Sequence, residues 1–395
     1  MRIAAHHRMY SVFYLFAFSL GGLLSRLPDL QEDLGITETQ LGLTLIGMAG
    51  GSLIALTFAS PLIDRYGARA TAFVTVFGTA LMYALIPWLP SALLVFGAFF
   101  LAGLLGGALE INVNLETDKL EAQLGRRIMN RAHGMWSLGF FATAIVGAVV
   151  RQAGISPEVH TGAMLVLVVI IGLVTLSGMT TAPKRPDAHT GDTPKFALPT
   201  FGLMPLCLIG IGAFVVESSG VDWSAIYMRD VFAVEPFIGG LGLGFFTFFM
   251  ATTRLFVDPF VERHGPRRVA SVLLVVAAVG LFAVGFAPHP YVALVGFGLM
   301  GMGCSAIYPL CVSAAAARTD RPASVNVAAI GQVTFVVFFA APPVIGWIAE
   351  HFGIRTSYLT ILPFLVMALL LVRALPTRQP KDAADTEIVP SSAHA

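Results

Sequence analysis

Pro61-Leu-Ile-Asp64-Arg65-Tyr-Gly67-Ala-Arg69 returns 198 residues later as Pro259-Phe-Val-Glu262-Arg263-His-Gly265-Pro-Arg267, with four of nine positions identical. Each copy is a short charged turn set between long apolar runs. The same offset pairs Gly103 with Gly301, and Asp33 with Asp230 to within one residue. A hydrophobic chain that repeats itself at half its length has the signature of a membrane carrier made by duplication, so the register of the repeat organises the rest of the reading.

Composition identifies the solvent in which such a chain folds. Of 395 residues, 56% are hydrophobic and 12% charged, against about 25% charged in soluble domains. Mean hydropathy is +0.80, which points to the bilayer. A net charge of +1 with no basic patch gives no footing for nucleic acid. Cys207, Cys304 and Cys311 fall in apolar stretches with neither disulfide nor metal-ligand spacing, so no metal and no cofactor are expected. Arg2 and Arg8 precede an apolar segment, as in a secretory signal. That segment runs from Met9 to Leu24 without a small-residue cleavage site, and it reads as a retained first helix.

Apolar segments near 9–28, 41–63, 70–89, 92–114, 131–150, 162–181, 200–226, 237–257, 269–287, 291–314, 324–349 and 357–375 each approach the about 20 residues needed to cross about 30 Å of hydrocarbon. Unpaired backbone in lipid excludes open sheets. The expectation is an all-α membrane protein of twelve transmembrane helices in two pseudo-symmetric six-helix bundles, residues 1–182 and 200–376. The polar interval 183–199 reads as a cytoplasmic linker, and 377–395 as a disordered cytoplasmic tail. With the amino terminus in the cytoplasm, that side receives 19 Lys and Arg, and the opposite side only Arg26, Arg151, Arg229 and Arg355; Arg254 lies within a span. This asymmetry predicts a multi-pass protein of the inner (plasma) membrane with both termini cytoplasmic. Trp88, Trp223 and Trp347 then fall toward outer ends of spans, where interfacial anchors belong.

Both charged turns follow the second span of their half, on the same side. In this the chain resembles the major facilitator superfamily, whose loop motif is a Gly, a spaced Asp-Arg, a Gly and a basic pair. The likeness covers nearly the whole chain. Asp64, Arg65, Gly67 and Arg69 match, while Ser60 and Ala68 replace the first glycine and one basic residue. The second copy has Asp258 and Pro266 at those two places, beside Glu262, Arg263, Gly265 and Arg267. The resemblance implies the twelve-helix facilitator fold and a charge latch. In it Asp64 accepts hydrogen bonds from a helix amino end, and the arginines pair across the bundle interface to favour one of two rocked states. The alternative is that Arg65 and Arg69 serve only the positive-inside asymmetry.

Ionisable groups inside spans cost about 2.5–3.5 kcal/mol each on insertion scales, so each needs a partner or a task. Glu110, Glu217 and Arg254 qualify, with His133 and Asp222 nearer span ends. Arg254 lies one helical turn before Asp258, which suggests a local ion pair, and Asp222 is expected to be solvated. In Gly103-Leu-Leu-Gly106-Gly107-Ala-Leu-Glu110-Ile-Asn112-Val-Asn114, a carboxylate and an amide at i and i+4 share one helix face, just after glycines that allow close backbone approach. The pattern resembles the fourth helix of the fucose permease branch, a Leu-Glu with Asn four residues later lining the central cavity. That likeness implies Glu110 as the protonatable group and Asn114, with Asn112, as hydrogen-bonding groups for solute. The other reading is a solvated acid at the cytoplasmic mouth beside Glu116 and Asp118.

The repeat register sets Tyr308 opposite Glu110 and Glu217 opposite Ser19. In the superfamily the first, fourth, seventh and tenth helices line the cavity, which implies that these four positions converge. Glu217 is then a second proton-coupling and solute-binding candidate; alternatively it only bonds Ser218 or a neighbouring helix. Its segment, through Gly220, is expected to bend. In the fifth span Asn130-Arg131-Ala-His133-Gly134-Met-Trp136 resembles the sugar-permease-like branches, and Gln332 and Phe335 match His133 and Trp136 at an offset of 199. His133, Trp136 and Gln332 therefore join Tyr308 as solute-facing candidates. No proline stands between Ala142 and Gly147, unlike the antiporter motif of drug-proton exchangers. The combined expectation is proton-coupled symport of a sugar, polyol or related small polar solute by alternating access. The protein is expected to act as a monomer whose partners are solute, protons and lipid. Proton-driven efflux of an amphipathic compound, suggested by 30 phenylalanines, is one alternative. A non-transporting membrane sensor is another. No catalytic triad or nucleotide loop argues for an enzyme.

Overall fold

The computed structural model describes residues 3–124, 128–179 and 198–377, so the expected linker and tail lie almost wholly outside the described residues. The first half holds α1 (Ala5–Leu24), α2 (Leu27–Leu34), α3 (Glu38–Phe58), α4 (Ser60–Tyr66), α5 (Ala68–Leu85), α6 (Ala92–Leu124), α7 (Met129–Gln152) and α8 (Pro157–Ser177). The second holds α9 (Met204–Phe232), α10 (Pro236–Phe256), α11 (Asp258–His264), α12 (Pro266–Gly285), α13 (Pro290–Cys304), α14 (Ile307–Ala316), α15 (Ala323–Phe352), α16 (Ile354–Leu359) and α17 (Leu362–Leu371). Among the described residues, 11 spans are long and apolar enough to cross a membrane, and α1 with α2, bent by 41°, supplies a twelfth.

Two expectations about spans need correction. The first span does not end at 28; it breaks at Ser25–Arg26 and continues as α2. The tenth breaks at Ser305–Ala306. The seventh is the single helix α9, in which Gly220 makes room for a ring: a Cβ there would stand 2.3 Å from Phe246.

The duplication extends to the backbone. Short helices α4 and α11 follow the second span of each half, and the glycines that end them share one conformation, φ 82°, ψ 152° at Gly67 and φ 81°, ψ 153° at Gly265. Side chains resist that region, so the glycines are required. Ile63 and Val261 are buried beneath the two turns. A Cβ on Gly103 would stand 2.1 Å from the Met48 carbonyl oxygen, and one on Gly301 2.0 Å from that of Phe246, positions related by the same 198-residue offset. Thus α6 on α3 and α13 on α10 touch backbone to backbone, the small-residue contact by which helices associate in lipid.

A third, divergent copy of the turn is Glu350-His-Phe-Gly353-Ile-Arg355, between α15 and α16. Its Gly353 has φ 83° and ψ 148°. It follows an odd-numbered span whereas the other two follow even-numbered ones, so it lies on the opposite face of the bundle.

One face carries both chain ends. Here the Arg267 guanidinium donates to the carbonyls of Leu375 (2.8 Å) and Arg373 (2.7 Å). Arg318 reaches Gly202 and pairs with Asp320. Hydrogen bonds from Arg318 and Asn326 hold the Asp320 carboxyl well below the usual carboxylate range. The opposite, far face carries the four arginines that break the positive-inside pattern, and each has a structural partner. Asp29 takes Arg26 at 3.0 Å and Arg151 at 2.8 Å. Arg229 crosses between halves to Glu32 (2.9 Å), Gln31 (2.7 Å) and the Pro28 carbonyl (3.1 Å). Arg355 reaches the Gly285 carbonyl.

Two further bonds tie the halves at the far face by capping helix starts. Gln152, at the end of α7, accepts from the Phe237 amide of α10 at 3.1 Å, and Glu350 accepts from the Thr39 amide of α3 at 3.3 Å. Backbones press together there: a Cβ on Gly42 would lie 2.5 Å from the Pro342 carbonyl oxygen, and one on Gly346 2.3 Å from that of Glu38. The largest apolar cluster crosses this seam, joining Leu24, Leu27 and Leu41 to Trp223, Tyr227 and Ile345. Trp223 is accordingly 0% exposed and is no interfacial anchor, whereas Trp88 (68%) and Trp347 (48%) are exposed as anchors are. Toward the terminal face the packing is local: Met9, Val12, Phe13, Val113 and Ala132 form a cluster of the first half alone. The halves are therefore closed together at the far face.

Gly346→Leu is expected to wedge this seam. Overpacking of about 1–3 kcal/mol against the closed far face corresponds to a population shift of roughly five- to 150-fold. Distances between spin labels on α2 and α9 would report it as a second, longer population.

Candidate functional site

The centre is organised by Arg254, near the end of α10. Its guanidinium bonds Glu217 of α9 at 3.3 Å and donates from Nε to the Ser305 carbonyl at 3.0 Å. That carbonyl is available for a covalent reason: in an unbroken helix it would accept from residue 309, and Pro309 has no N–H. The proline opens the tenth span between α13 and α14, and the arginine fills the vacancy. Arg254 thus does not pair with Asp258, which is exposed one turn on; its partner comes from another helix. Side-chain exposures of 29% for Arg254 and 16% for Glu217 leave the pair reachable from the gap between halves.

Groups from the first half face this pair. His133 of α7 is exposed, sits edge-on to Phe13 at 5.0 Å between ring centroids, and lies within reach of the Arg254 charge. Glu110 of α6 is also exposed, and Tyr308 of α14 is near enough to feel its charge. Glu110, Arg254 and Tyr308 sit at matching depths in spans that begin at Ala92, Pro236 and Pro290. The Asn114 amide donates to the Glu110 carbonyl at 2.9 Å, keeping both on one face. An aromatic wall backs Tyr308: Phe214 lies 4.7 Å from it and 5.1 Å from Phe338, which lies 5.6 Å from Phe335. Gln332 is half-buried beside Gly331, where a Cβ would stand 3.5 Å from the Tyr308 hydroxyl. Trp136 is half-buried on Phe140 at 4.5 Å.

Other expected members lie elsewhere. Asn112 is 0% exposed and donates to the Ala68 carbonyl at 2.9 Å, anchoring α6 to the start of α5, so it is a packing residue with no access to solute. Ser19 lines a small cavity within the first half with Tyr83, Thr161 and Met164, away from the centre. Asp222 is not freely solvated; it accepts from Ser218 at 2.9 Å. Ser218 is thus bonded to Asp222, and Glu217 has the arginine instead.

At the terminal face Asp64, Arg65, Glu262 and Arg263 are exposed and make no hydrogen bond or ion pair with another described residue. Arg65 and Arg69 lie over their own Tyr66 (5.5 Å) and Phe73 (5.8 Å). Arg267, expected to pair across the bundle interface, instead ties down the end of its own half. The helix-capping contact foreseen for Asp64 is found at the far face, made by Glu350 of the third turn. Two functional features escaped sequence reasoning. Pro309 was the available signal for the Ser305 carbonyl, and the Glu-x-x-Gly-x-Arg spacing was the signal for Glu350.

Comparison with known proteins matches this architecture. The profile of the Major Facilitator Superfamily matches residues 9–219 and again 206–393. An uncharacterized transporter of Sinorhizobium fredii is 27% identical over 363 residues, covering 92% of this chain and 96% of that protein. The membrane protein MosC of Rhizobium meliloti is 25% identical over 357 residues, 88% and 85% of the respective chains. Among solved structures, a mutant of the nucleoside transporter NupG superposes with a TM-score of 0.76 at 11% identity over 94% of this chain and all of that one. A D-xylose-proton symporter superposes at 0.75 with 15% identity, covering 94% and 97%. Both structural likenesses speak to the fold. With the profile matched in each half, and with helices, repeat and paired turns all in agreement, the chain belongs to the major facilitator superfamily and is a membrane transporter, not an enzyme.

Proposed function

We propose that the protein moves a small polar solute by alternating access, in symport with protons, across an inner membrane with both termini in the cytoplasm. The observation that carries the reading is the meeting of Glu110, Tyr308, His133 and the Arg254–Glu217 pair between two halves that are tied together at one face. Ionisable groups kept at this depth need either mutual pairing or a task, and Glu110 and His133 are exposed to the gap. Glu110 is the proton carrier and Glu217 a second proton-coupling group. Tyr308, Asn114 and Gln332 offer hydrogen bonds to solute hydroxyls, with Trp136 at the edge of the site. Sugar- and nucleoside-transporting folds of the same shape support a hydroxylated solute. The aromatic wall at Phe214, Phe335 and Phe338 is the one feature that favours export of an amphipathic compound instead. Uptake into proteoliposomes, with the imposed pH gradient in each orientation and absent, separates symport from export.

The charged turns act in this cycle as latches for opposite ends. The far-face copy is engaged through Glu350, and the terminal-face copies, Asp64 with Arg65 and Glu262 with Arg263, stand open. When the halves rock, Asp64 closes on the start of α15, as Glu350 now closes on the start of α3. Asp64→Asn is expected to leave solute affinity unchanged while lowering the fraction of molecules open at the far face. Asparagine keeps the hydrogen-bond acceptor and loses only the attraction of the anion to the helix start, about 0.3–1 kcal/mol, so the ratio of states should move about two- to fivefold. Unaltered label distances with normal transport would reduce the motif to a topology signal.

A further inference from the structure

We propose that the solute is a small hydroxylated monocarboxylate, bound through its carboxylate to Arg254 in place of Glu217, which takes up a proton as the solute enters. The inference rests on the transport reading above and assigns its substrate class.

The argument begins with a charge that cannot be removed. A guanidinium stays protonated at any working pH, and at this depth it must keep a counter-charge. Glu217 supplies it, through a contact of 3.3 Å from one terminal nitrogen and not through a two-pronged fork. The Nε–H is committed to the Ser305 carbonyl, a neutral acceptor that Pro309 leaves free, and this fixes the plane of the guanidinium. Arginine has five donors in a rigid fork, so donors beyond these two remain for an incoming planar anion. A carboxylate gripping two nitrogens makes a stronger pair than the single contact it replaces.

Charge arithmetic then selects the ligand. The other titratable groups around the pair are Cys304 of α13, Asp222 of α9 and Tyr308 of α14 in its own half, and His133 of α7 and Glu110 of α6 across the gap. Asp222 is engaged with Ser218 at 2.9 Å, and Glu110 lies toward Tyr308. Glu217 is therefore the acid that leaves Arg254. Once displaced it would be an unpaired carboxylate in a half-buried site, and protonation to the neutral acid removes that cost. One cation retained and one acid neutralised call for one negative charge on the solute. A neutral sugar has nothing with which to displace Glu217, and a dianion would leave a charge without a partner. Glu110 across the gap and Tyr308 in the pair's own half are suited to hydroxyl groups.

The test uses the purified full chain in nanodiscs, titrated calorimetrically with D-gluconate and D-glucuronate, with D-glucose and D-sorbitol as neutral counterparts. Titrations in buffers of different ionisation enthalpy count protons. Expected are binding of the acids alone, uptake of about one proton per solute, and affinity rising up to about tenfold per pH unit as pH falls. Glu217→Gln should bind the acids with no proton uptake and no pH dependence. Because Arg254→Gln alone strands Glu217 and risks misfolding, the decisive loss variant is the double change Glu217→Gln with Arg254→Gln. It should unfold at a temperature close to wild type yet bind acids at least tenfold more weakly. Equal or better binding of the neutral compounds, absence of binding by either acid, acid binding without proton uptake, or retained affinity in the double variant would each overturn the proposal. Proton-driven accumulation of a neutral sugar in proteoliposomes would leave the transport reading standing while this assignment fell. Failure of every solute to cross would reject the transport reading itself.

Discussion

Glu110→Gln is expected to cut the accumulation driven by a one-unit pH gradient about tenfold while leaving exchange of solute down its own gradient intact. Each coupled proton contributes about 1.4 kcal/mol per pH unit, which is a factor of about ten in the concentration ratio that can be held. The amide keeps the shape of the protonated acid, and because Glu110 faces the gap and Tyr308 its replacement disturbs no buried ion pair. A site that cannot lose its proton still binds and rocks, but contributes nothing to coupling. The measurement is the steady-state ratio of labelled solute in proteoliposomes at imposed pH differences, beside counterflow without one. An unchanged ratio would remove Glu110 from the coupling path.

Gly301→Val, and Gly103→Val in the other half, should be among the most damaging single changes to stability. The added Cβ would fall 2.0 Å and 2.1 Å from backbone carbonyl oxygens of α10 and α3, and a backbone cannot turn aside as a flexible side chain can. The cost is expected to exceed the about 1–3 kcal/mol typical of overpacked cores, enough to lose most of the monodisperse protein on size-exclusion after detergent extraction. Gly97→Ala is the control, since nothing lies within 4 Å of a Cβ there. If Gly301→Val matched that control in yield and in unfolding temperature, the backbone contact would carry no weight.

The fold was legible because it is written twice. The 198-residue register anticipated the twin glycine turns and the pairing of Gly103 with Gly301, although the charged turns prove to be the short helices α4 and α11. The site was less legible than the fold, because which side chains meet is set by packing between helices. Local spacing misled at Arg254: Asp258 is one turn away along the helix, but the partner that won is Glu217, 37 residues away in sequence and on the facing helix. Asn112 and Asn114 are two residues apart and therefore lie on different sides of α6, one under the α5 turn and one beside Glu110; composition alone cannot tell them apart. A proline follows both breaks, Pro28 after Ser25–Arg26 and Pro309 after Ser305–Ala306, and each removes the N–H that would have bonded the carbonyl four residues before it. The Glu350 turn stands 198 residues after Gln152, and the amides that these two side chains cap, Thr39 and Phe237, are 198 residues apart as well, so the far-face contacts repeat in the same register.

That third turn has a consequence for what the protein can sense. Glu350 with its glycine, and Asp64 with its own, are one chemical device placed on opposite faces, and a membrane separates the fluids that bathe them. Acid, salt or a charged headgroup arriving on one side touches one copy and leaves the other untouched. A disturbance common to both compartments therefore tends to cancel, while a difference between compartments tilts the equilibrium toward one end. On the latch reading proposed above, the pair would behave as a differential gauge, with the lipid as its partition.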